Sequence, residues 1–419
     1  MARLPGAAGR GALVFLAVAL LAVPYLSAYS VLTHEAIIDT AWNSSIQPRL
    51  LQRFPQSTAA QLLEAHGYAY AGCILQDMGY YPFGSRFFSD LVHYVRSGEF
   101  VVNLIRDSQD LDEYAFALGA LAHYAADTHG HSIAVNRSVA LQYPKLARRS
   151  GASVTYADKP SAHIKVEFAF DVLQVARGRY APQAYHDFIG FHVARPVLER
   201  AFHDTYSLEL TDVFDDLDLA LNTYRHSVSS VIPTMTKVAW SIKKEELRSA
   251  QPGLTRRRFV FNLSRASYRN EWGRSYEQPG IGARILAVLV RILPKIGPLK
   301  ALAFKPPTAQ TERLFEISFD RTLDLYRSVL AGDDRLTLAD LDFDTGELTR
   351  PAERPLADDA YSKLAVMLAA KDPRAVSAPL RRNVLEFFQD PSLPFATKRN
   401  PEQWRETLAA LQKLKAMPD

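Results

Sequence analysis

The sequence contains a single cysteine, Cys73, among its 419 residues. One cysteine cannot form an intramolecular disulfide, so a secreted form of the chain would depend on packing or on bound metal. The sequence also has no large excess of either charge, because it contains 49 basic and 45 acidic residues and the formal net charge is only +4. Most nucleic-acid-binding proteins have a clustered basic face, and the even balance of charges in this sequence argues against one. With 48% hydrophobic residues, the chain is expected to be globular rather than disordered.

Long apolar runs are rare, and the clearest one lies at the start of the sequence. Residues 12–28 are almost entirely apolar and follow two early positive charges, Arg3 and Arg10. This pattern predicts a signal peptide over residues 1–28, cleaved after Ala28 so that Tyr29 becomes the N-terminus. The expected location is secreted or periplasmic, and the alternative is a retained, membrane-anchored segment.

Strand-like alternation is scarce and no internal repeat is visible, whereas apolar residues recur at three- and four-residue intervals through the first 245 residues. Thr58 with Gln61, and Asp110 with Glu113, have the spacing of a capping box. Pro160 is placed to open another helix. The predicted helices span residues 34–43, 58–76, 86–96, 111–129, 161–177, 183–205 and 213–245. The predicted fold class is therefore all-α, a multi-helix bundle.

The composition changes near residue 250, where proline, glycine and arginine become frequent. We predict a helical domain over 29–250 and a C-terminal region of unknown role, mainly helical, over 251–419. Residues 285–304 are apolar with interspersed basic residues, which fits either contact with an anionic membrane surface or a proline-broken core hairpin.

Three alternating acidic residues in the C-terminal region, Asp340, Asp342 and Asp344, have the spacing of a calcium loop. Glycine, however, falls at the seventh position as Gly346, and Pro351 occupies the place of the closing glutamate. The sequence therefore argues against a calcium site here.

Two histidine–carboxylate pairs with i, i+4 spacing carry the strongest chemical signal. His123 with Asp127, and His163 with Glu167, each project from one helix face and can chelate one metal ion. His131 continues the first pair one turn later. Imidazole and carboxylate ligands suit zinc, and the lack of cysteines excludes a thiolate-rich site.

His129 is a rival to His131. If the helix persists past Gly130, His129 points about 200° away from Asp127. If Gly130 ends the helix, the chain can turn and bring His129 inward.

An aromatic cluster lies between Asp77 and His93 in the sequence. It either lines a pocket for a lipid or a nucleic-acid base or belongs to the core. Its members are Tyr80, Tyr81, Phe83, Phe87 and Phe88. His66, between aromatic residues, is interpreted as a packed histidine.

Over residues 29–245 the sequence resembles the superfamily of zinc-dependent phospholipases C and S1/P1-type nucleases, helical bundles with three clustered zinc ions. In that family an N-terminal aromatic residue binds zinc through its backbone amine and carbonyl, and a histidine follows closely. The family pattern is matched in order by Tyr29, His34, Asp77, His93, His123, Asp127, His131, His163 and Glu167.

The resemblance implies how these residues are shared among three Zn²⁺ ions. Asp77, His93 and His123 would hold one ion, and Asp127 would bridge it to a second ion bound by Tyr29 and His34. A third ion would be held by His131, His163 and Glu167. Asp77 is also the candidate general base.

The implied activity is hydrolysis of a phosphodiester by a zinc-activated water, most simply as a phospholipase C acting on a phospholipid. A P1-type nuclease acting on single-stranded nucleic acid is an alternative, which the five-residue spacing from Tyr29 to His34 favours. The other alternative is a non-catalytic bundle that zinc stabilises. The phospholipid headgroup does not follow from the sequence.

Overall fold

The computed structural model describes residues 31–176, 191–227, 304–332 and 336–418. The predicted signal peptide, the change of composition near residue 250 and residues 285–303 lie outside these ranges. Within them, no helix is both long and apolar enough to cross a membrane.

The described chain is all-α, as predicted, apart from one two-stranded antiparallel hairpin. The helices of the first part are α1 (Val31–Ala41), α2 (Gln47–Arg53), α3 (Ala59–Gly72), α4 (Arg86–Tyr94), α5 (Ser97–Asp107), α6 (Leu111–His129), α7 (Asn136–Gln142), α8 (Pro144–Ser150), α9 (Pro160–Ala176), α10 (Arg195–Tyr206), α11 (Leu210–Val213) and α12 (Leu217–His226). The second part has α13 (Ala309–Leu330), β1 (Leu341–Asp342), β2 (Glu347–Leu348), α14 (Pro355–Leu368), α15 (Ala378–Phe387) and α16 (Pro401–Ala416). Short 3₁₀ turns occupy Leu75–Tyr80, Pro373–Ala375 and Ala396–Arg399, and π-helical turns occupy Trp42–Ile46 and Gly130–Val135.

The predicted helix starts arise from local capping. The capping box of Thr58 and Gln61 is present at the start of α3. Asp110 accepts the backbone N–H of Glu113, but the Glu113 carboxylate accepts from the backbone of Gln109 rather than from that of Asp110. Both arrangements satisfy N–H groups that have no partner within the helix, and this fixes where α3 and α6 begin.

Helix α6 is the centre of the fold and is buried almost along its whole length. Helix α3 crosses it at two glycines, Gly72 and Gly119, where the backbones touch. A Cβ atom on Gly119 would lie 2.2 Å from the carbonyl oxygen of Ala69, and one on Gly72 would lie 2.0 Å from that of Phe116. The crossing brings the carbonyl end of α3 against α6.

Gly119→Ala is expected to lower the free energy of unfolding by about 1–3 kcal/mol, because the added methyl group must push two helix backbones apart. Denaturant unfolding measures this. Gly332→Ala is the control, since the nearest atom to its added Cβ is the Val329 carbonyl oxygen at 3.2 Å. Equal stability of the two variants would contradict the close crossing.

The C-terminal region packs onto the same core. The Tyr326 hydroxyl of α13 donates to the Leu118 carbonyl of α6 at 2.9 Å, and the Tyr124 hydroxyl of α6 donates to the Ala339 carbonyl at 3.0 Å. Residues beyond 300 therefore take part in the packing around α6.

Candidate metal centre

Four buried side chains converge on one point beside α6. The ligand atoms of Asp77, His93, His123 and Asp127 all lie within 4.8 Å of one another, and we call this group the first cluster. Asp127 Oδ2 lies 3.0 Å from His123 Nε2 and 3.4 Å from His93 Nε2. Asp77 Oδ1 lies 3.5 Å from His93 Nε2. The sequence-predicted residues are thus brought together by three separate elements.

The 3₁₀ turn Leu75–Tyr80 positions Asp77 through its neighbours. Gln76 Nε2 donates to the Ala120 carbonyl of α6 at 3.0 Å, and the Ser89 hydroxyl of α4 donates to the Gln76 carbonyl at 2.5 Å. These two bonds tie the turn to both helices that carry the histidines of the first cluster.

Backbone carbonyls fix the orientation of three histidine rings. His93 Nδ1 donates to the Ser89 carbonyl at 2.8 Å, and His123 Nδ1 donates to the Cys73 carbonyl at 2.9 Å. His163 Nε2 donates to the carbonyl of Val154 at 2.6 Å. A carbonyl partner holds the proton on one ring nitrogen, so the other nitrogen presents its lone pair to a metal. The Cys73 carbonyl stands directly after α3, where the glycine crossing places it.

His34 of α1 adjoins the first cluster. Its ring stacks on that of His123 with centroids 4.5 Å apart, and its Nε2 lies 3.5 Å from Asp127 Oδ1. Asp171 of α9 holds the start of α1, accepting the backbone N–H of Leu32 at 3.0 Å and the hydroxyl of Thr33. Tyr29, the remaining predicted ligand beside His34, lies outside the described residues.

A second cluster joins His131, His163 and Asp344, whose ligand atoms also lie within 4.8 Å of one another. Asp344 Oδ1 lies 3.0 Å from His131 Nδ1. Glu167 Oε1 lies 3.5 Å from His163 Nδ1, one helical turn along α9. The predicted ligands His131 and His163 therefore lie together, and the third predicted ligand, Glu167, lies beside His163.

Asp344 is a site residue that the sequence reasoning missed. It belongs to the acidic run Asp340, Asp342 and Asp344, whose spacing resembles a calcium loop but whose other positions argue against one. In the structure Asp344 lies in the turn between β1 and β2, and Asp342, the last residue of β1, accepts the backbone N–H of Thr345 at 3.1 Å. The signal was the alternation of acidic residues, but nothing in the sequence connects that run to His131.

His131 lies where α6 changes its winding. After His129 the chain continues as the π-helical turn Gly130–Val135, in which the Asn136 N–H reaches the His131 carbonyl five residues back. Such wide turns occur often at functional sites. His131 is buried in the second cluster, whereas the half-buried His129 has its Nδ1 3.2 Å from the Ala125 carbonyl of its own helix.

His131→Ala is expected to lose about one zinc ion per chain, and His129→Ala is expected to lose none, because only the His131 ring meets other ligand atoms. Elemental analysis of the two purified variants measures this. Depleted zinc in His129→Ala beside full zinc in His131→Ala would reverse the assignment.

The aromatic cluster contributes both to the core and to the border of the site. Tyr81 and Phe88 are buried, and the buried Tyr80 ring lies 5.9 Å from the His93 ring. Phe83 is 56% exposed. His66 stacks on Trp42 with centroids 3.9 Å apart and lies away from both clusters.

Burial and neighbouring charges shift the titration of the site. Burial lowers the pKa of His163 to about 4, and burial together with His123 lowers that of His34 to about 4. Burial opposes a charge on His93, but the nearby carboxylates of Asp127 and Asp77 prevail and raise its pKa to about 10. A proton held between one imidazole and two carboxylates occupies a position that suits a divalent cation.

The donor atoms fit zinc. None of the residues of the two clusters, nor His34 or Glu167, is more than 4% exposed. Several of their polar atoms have no hydrogen-bond partner in the described chain: His93 Nε2, His123 Nε2, His163 Nδ1, Asp77 Oδ1, and both carboxylate oxygens of Asp127 and Glu167. Buried groups without partners are costly, and a cation bound by nitrogen and oxygen would satisfy them.

A family model described as zinc dependent phospholipase C matches residues 33–216. Neither the curated proteins nor the solved structures gave a significant match. The matched region contains the first cluster, His34, His131, His163 and Glu167, and it ends before Asp344.

Proposed function

Residues 33–216 belong to the zinc-dependent phospholipase C family, and on this premise we propose that the protein is a secreted phosphodiesterase that hydrolyses the headgroup phosphodiester of a phospholipid. The observation that carries the proposal is the convergence of buried imidazole and carboxylate groups, most of whose ligand atoms have no hydrogen-bond partner among the described residues. Three zinc ions are proposed. Tyr29, exposed by cleavage after Ala28, would bind one of them together with His34.

The chain's own residues divide the work in this proposal. Bound zinc would supply Lewis acidity, which lowers the pKa of water toward neutral pH and neutralises negative charge on phosphoryl oxygens. Asp127 presents one carboxylate oxygen to His34 and the other to His93 and His123, an arrangement that suits a bridge between two ions. Asp77, at the edge of the first cluster, would orient the attacking water and accept its proton as general base.

The fixed histidine rings support this role through preorganisation. Carbonyl partners on three of the rings hold the ligand nitrogens in place before any substrate arrives, which lowers the cost of assembling the site.

One observation favours a second candidate, a non-catalytic bundle held together by zinc. The Phe343 ring lies 5.3 Å from that of His93 and 6.2 Å from that of His123, so an apolar side chain covers the first cluster. A structural site is closed in this way, whereas a catalytic site keeps one position open to substrate.

A substrate panel separates the candidates. Purified protein, with and without added zinc, is assayed on phospholipid vesicles of differing headgroup, on bis(p-nitrophenyl) phosphate, and on single-stranded DNA and RNA. We expect zinc-dependent release of phosphorylated headgroups. Cleavage of the nucleic acids alone would favour the P1-type nuclease, and full zinc content without turnover on any substrate would favour the structural role.

A further inference from the structure

Residues 339–346, which we call the docking segment, reach the metal centre from outside the region that matches the family model. The segment begins against α5, where the Asp340 carboxylate accepts the backbone N–H groups of Gly98 and Glu99, each at 3.1 Å. It continues past α4, where the Phe343 N–H donates to the His93 carbonyl at 3.2 Å. All three bonds engage backbone groups of these helices, so the position of the segment along α4 and α5 is specific.

The far end of the segment is fixed equally closely. The Asn136 amide donates to the Asp344 carbonyl at 2.6 Å. Gly346 has φ +70° and approaches α6 so closely that a Cβ atom there would lie 2.5 Å from the Thr128 carbonyl oxygen. A residue other than glycine would be strained at this backbone conformation and would also collide with α6.

The Asp344 side chain is directed inward by this anchoring. It is buried, and its two oxygens accept the backbone N–H groups of Tyr156 at 3.3 Å and of Ala157 at 3.4 Å. A carboxylate oxygen has lone pairs to spare after one such bond. One of the two oxygens also faces His131 Nδ1 at 3.0 Å.

An ion pair with His131 would account for that one distance but not for the third member of the cluster. His163 Nδ1 also faces the same point and has no hydrogen-bond partner in the described chain. The proton of this ring lies on Nε2, which donates to the Val154 carbonyl, so Nδ1 has a lone pair available. Two imidazoles and a carboxylate converging on one point form a ligand set for zinc rather than a simple ion pair.

We propose that Asp344 is a ligand of the third zinc ion, bound with His131, His163 and Glu167, and that the C-terminal region thereby completes the metal centre. This inference rests on the proposed zinc-dependent function. Four protein ligands would leave this ion no open position, unlike a catalytic ion, which has three protein ligands and one position open to water or substrate. The third ion would then serve to fix the docking segment against α6.

The first test is the zinc content of Asp344→Asn. An amide keeps the size and the hydrogen-bond acceptor of the carboxylate but is a poor zinc ligand, so we expect about one zinc ion fewer per chain than in the wild type. Glu347→Gln is the matched control, because Glu347 is an exposed carboxylate of the same hairpin, paired with Arg354 at 3.0 Å. Full zinc content in Asp344→Asn would overturn the proposal.

A second variant asks directly whether position 344 touches the metal. In Asp344→Cys loaded with Co²⁺, we expect a thiolate-to-cobalt charge-transfer band that is absent from the wild type and from Glu347→Cys. The native Cys73 belongs to neither cluster and supplies the background. Absence of the band in a cobalt-loaded Asp344→Cys would overturn the assignment even if Asp344→Asn folded poorly.

The same measurements separate this inference from the function on which it rests. Wild-type protein that holds no zinc would refute the proposed function. Wild-type protein that holds zinc and hydrolyses phosphodiesters, beside an Asp344→Asn variant with undiminished zinc, would refute the role of Asp344 alone.

Discussion

Asp127→Asn is expected to lower phosphodiester turnover by more than about 100-fold. Even mutation of a residue that only hydrogen-bonds to a metal ligand typically lowers metal affinity or activity by about 10–100-fold. The two oxygens of Asp127 face different partners, His34 on one side and His93 with His123 on the other. An amide cannot present two anionic oxygens, so two zinc ions should bind more weakly. Zinc analysis of the variant, together with the hydrolysis rate on bis(p-nitrophenyl) phosphate, measures both effects.

Asp112→Asn is the control for this substitution. It removes a carboxylate from the first turn of the same helix, in a place that belongs to neither cluster. We expect it to keep its zinc and its activity. Unchanged zinc content in Asp127→Asn would refute the bridging role of this carboxylate.

Removal of zinc is expected to destabilise the protein by at least about 4 kcal/mol when the metal is present at 1,000 times its dissociation constant, since a single ion bound only to the folded state stabilises by this amount. The physical cause is the buried group of carboxylates, including Asp77, Asp127, Glu167 and Asp344, which repel one another once the cations leave. At about 2–4 °C per kcal/mol, the melting temperature should fall by at least roughly 8 °C. Scanning calorimetry before and after dialysis against dipicolinic acid measures the change.

Re-addition of zinc, but not of magnesium, should restore the melting temperature, because magnesium prefers an octahedral oxygen shell to imidazole ligands. An identical melting temperature in protein shown by elemental analysis to be free of zinc would refute the coupling of metal to stability.

The fold class and the elements that carry most of the site could be predicted because their signals are local. Helix α6 spans the predicted residues 111–129, since the Asp110 side chain fixes its start and apolar residues recur along it. The i, i+4 pairs of His123 with Asp127, and of His163 with Glu167, needed only helical geometry to be placed on one face.

Other features depend on packing that no local pattern reports. The predicted helix over 58–76 ends at Gly72 and gives way to a 3₁₀ turn at Leu75, which carries Asp77. The phase of a regular α-helix predicts His131 as the ligand, whereas the chain there winds as a π turn. That wider turn inserts a residue into the helix, and its stability comes from the neighbouring elements rather than from its own sequence.

Asp344 was beyond prediction for a related reason. The interaction that brings it to His131 joins elements that are far apart in the sequence, and a single sequence contains no signal for such a contact. The segment's anchors, a helix cap by Asp340 and a backbone bond from Phe343, are each ordinary when viewed alone.

The position of Asp344 along the chain also sets an order of events during synthesis. All four residues of the first cluster precede residue 128, so they are available as soon as the helices around α6 have formed. The second cluster cannot close until residues 339–346 have left the ribosome and docked, because its carboxylate belongs to them. Domains fold largely from the N-terminus as the chain emerges, and the first cluster can therefore assemble before the second.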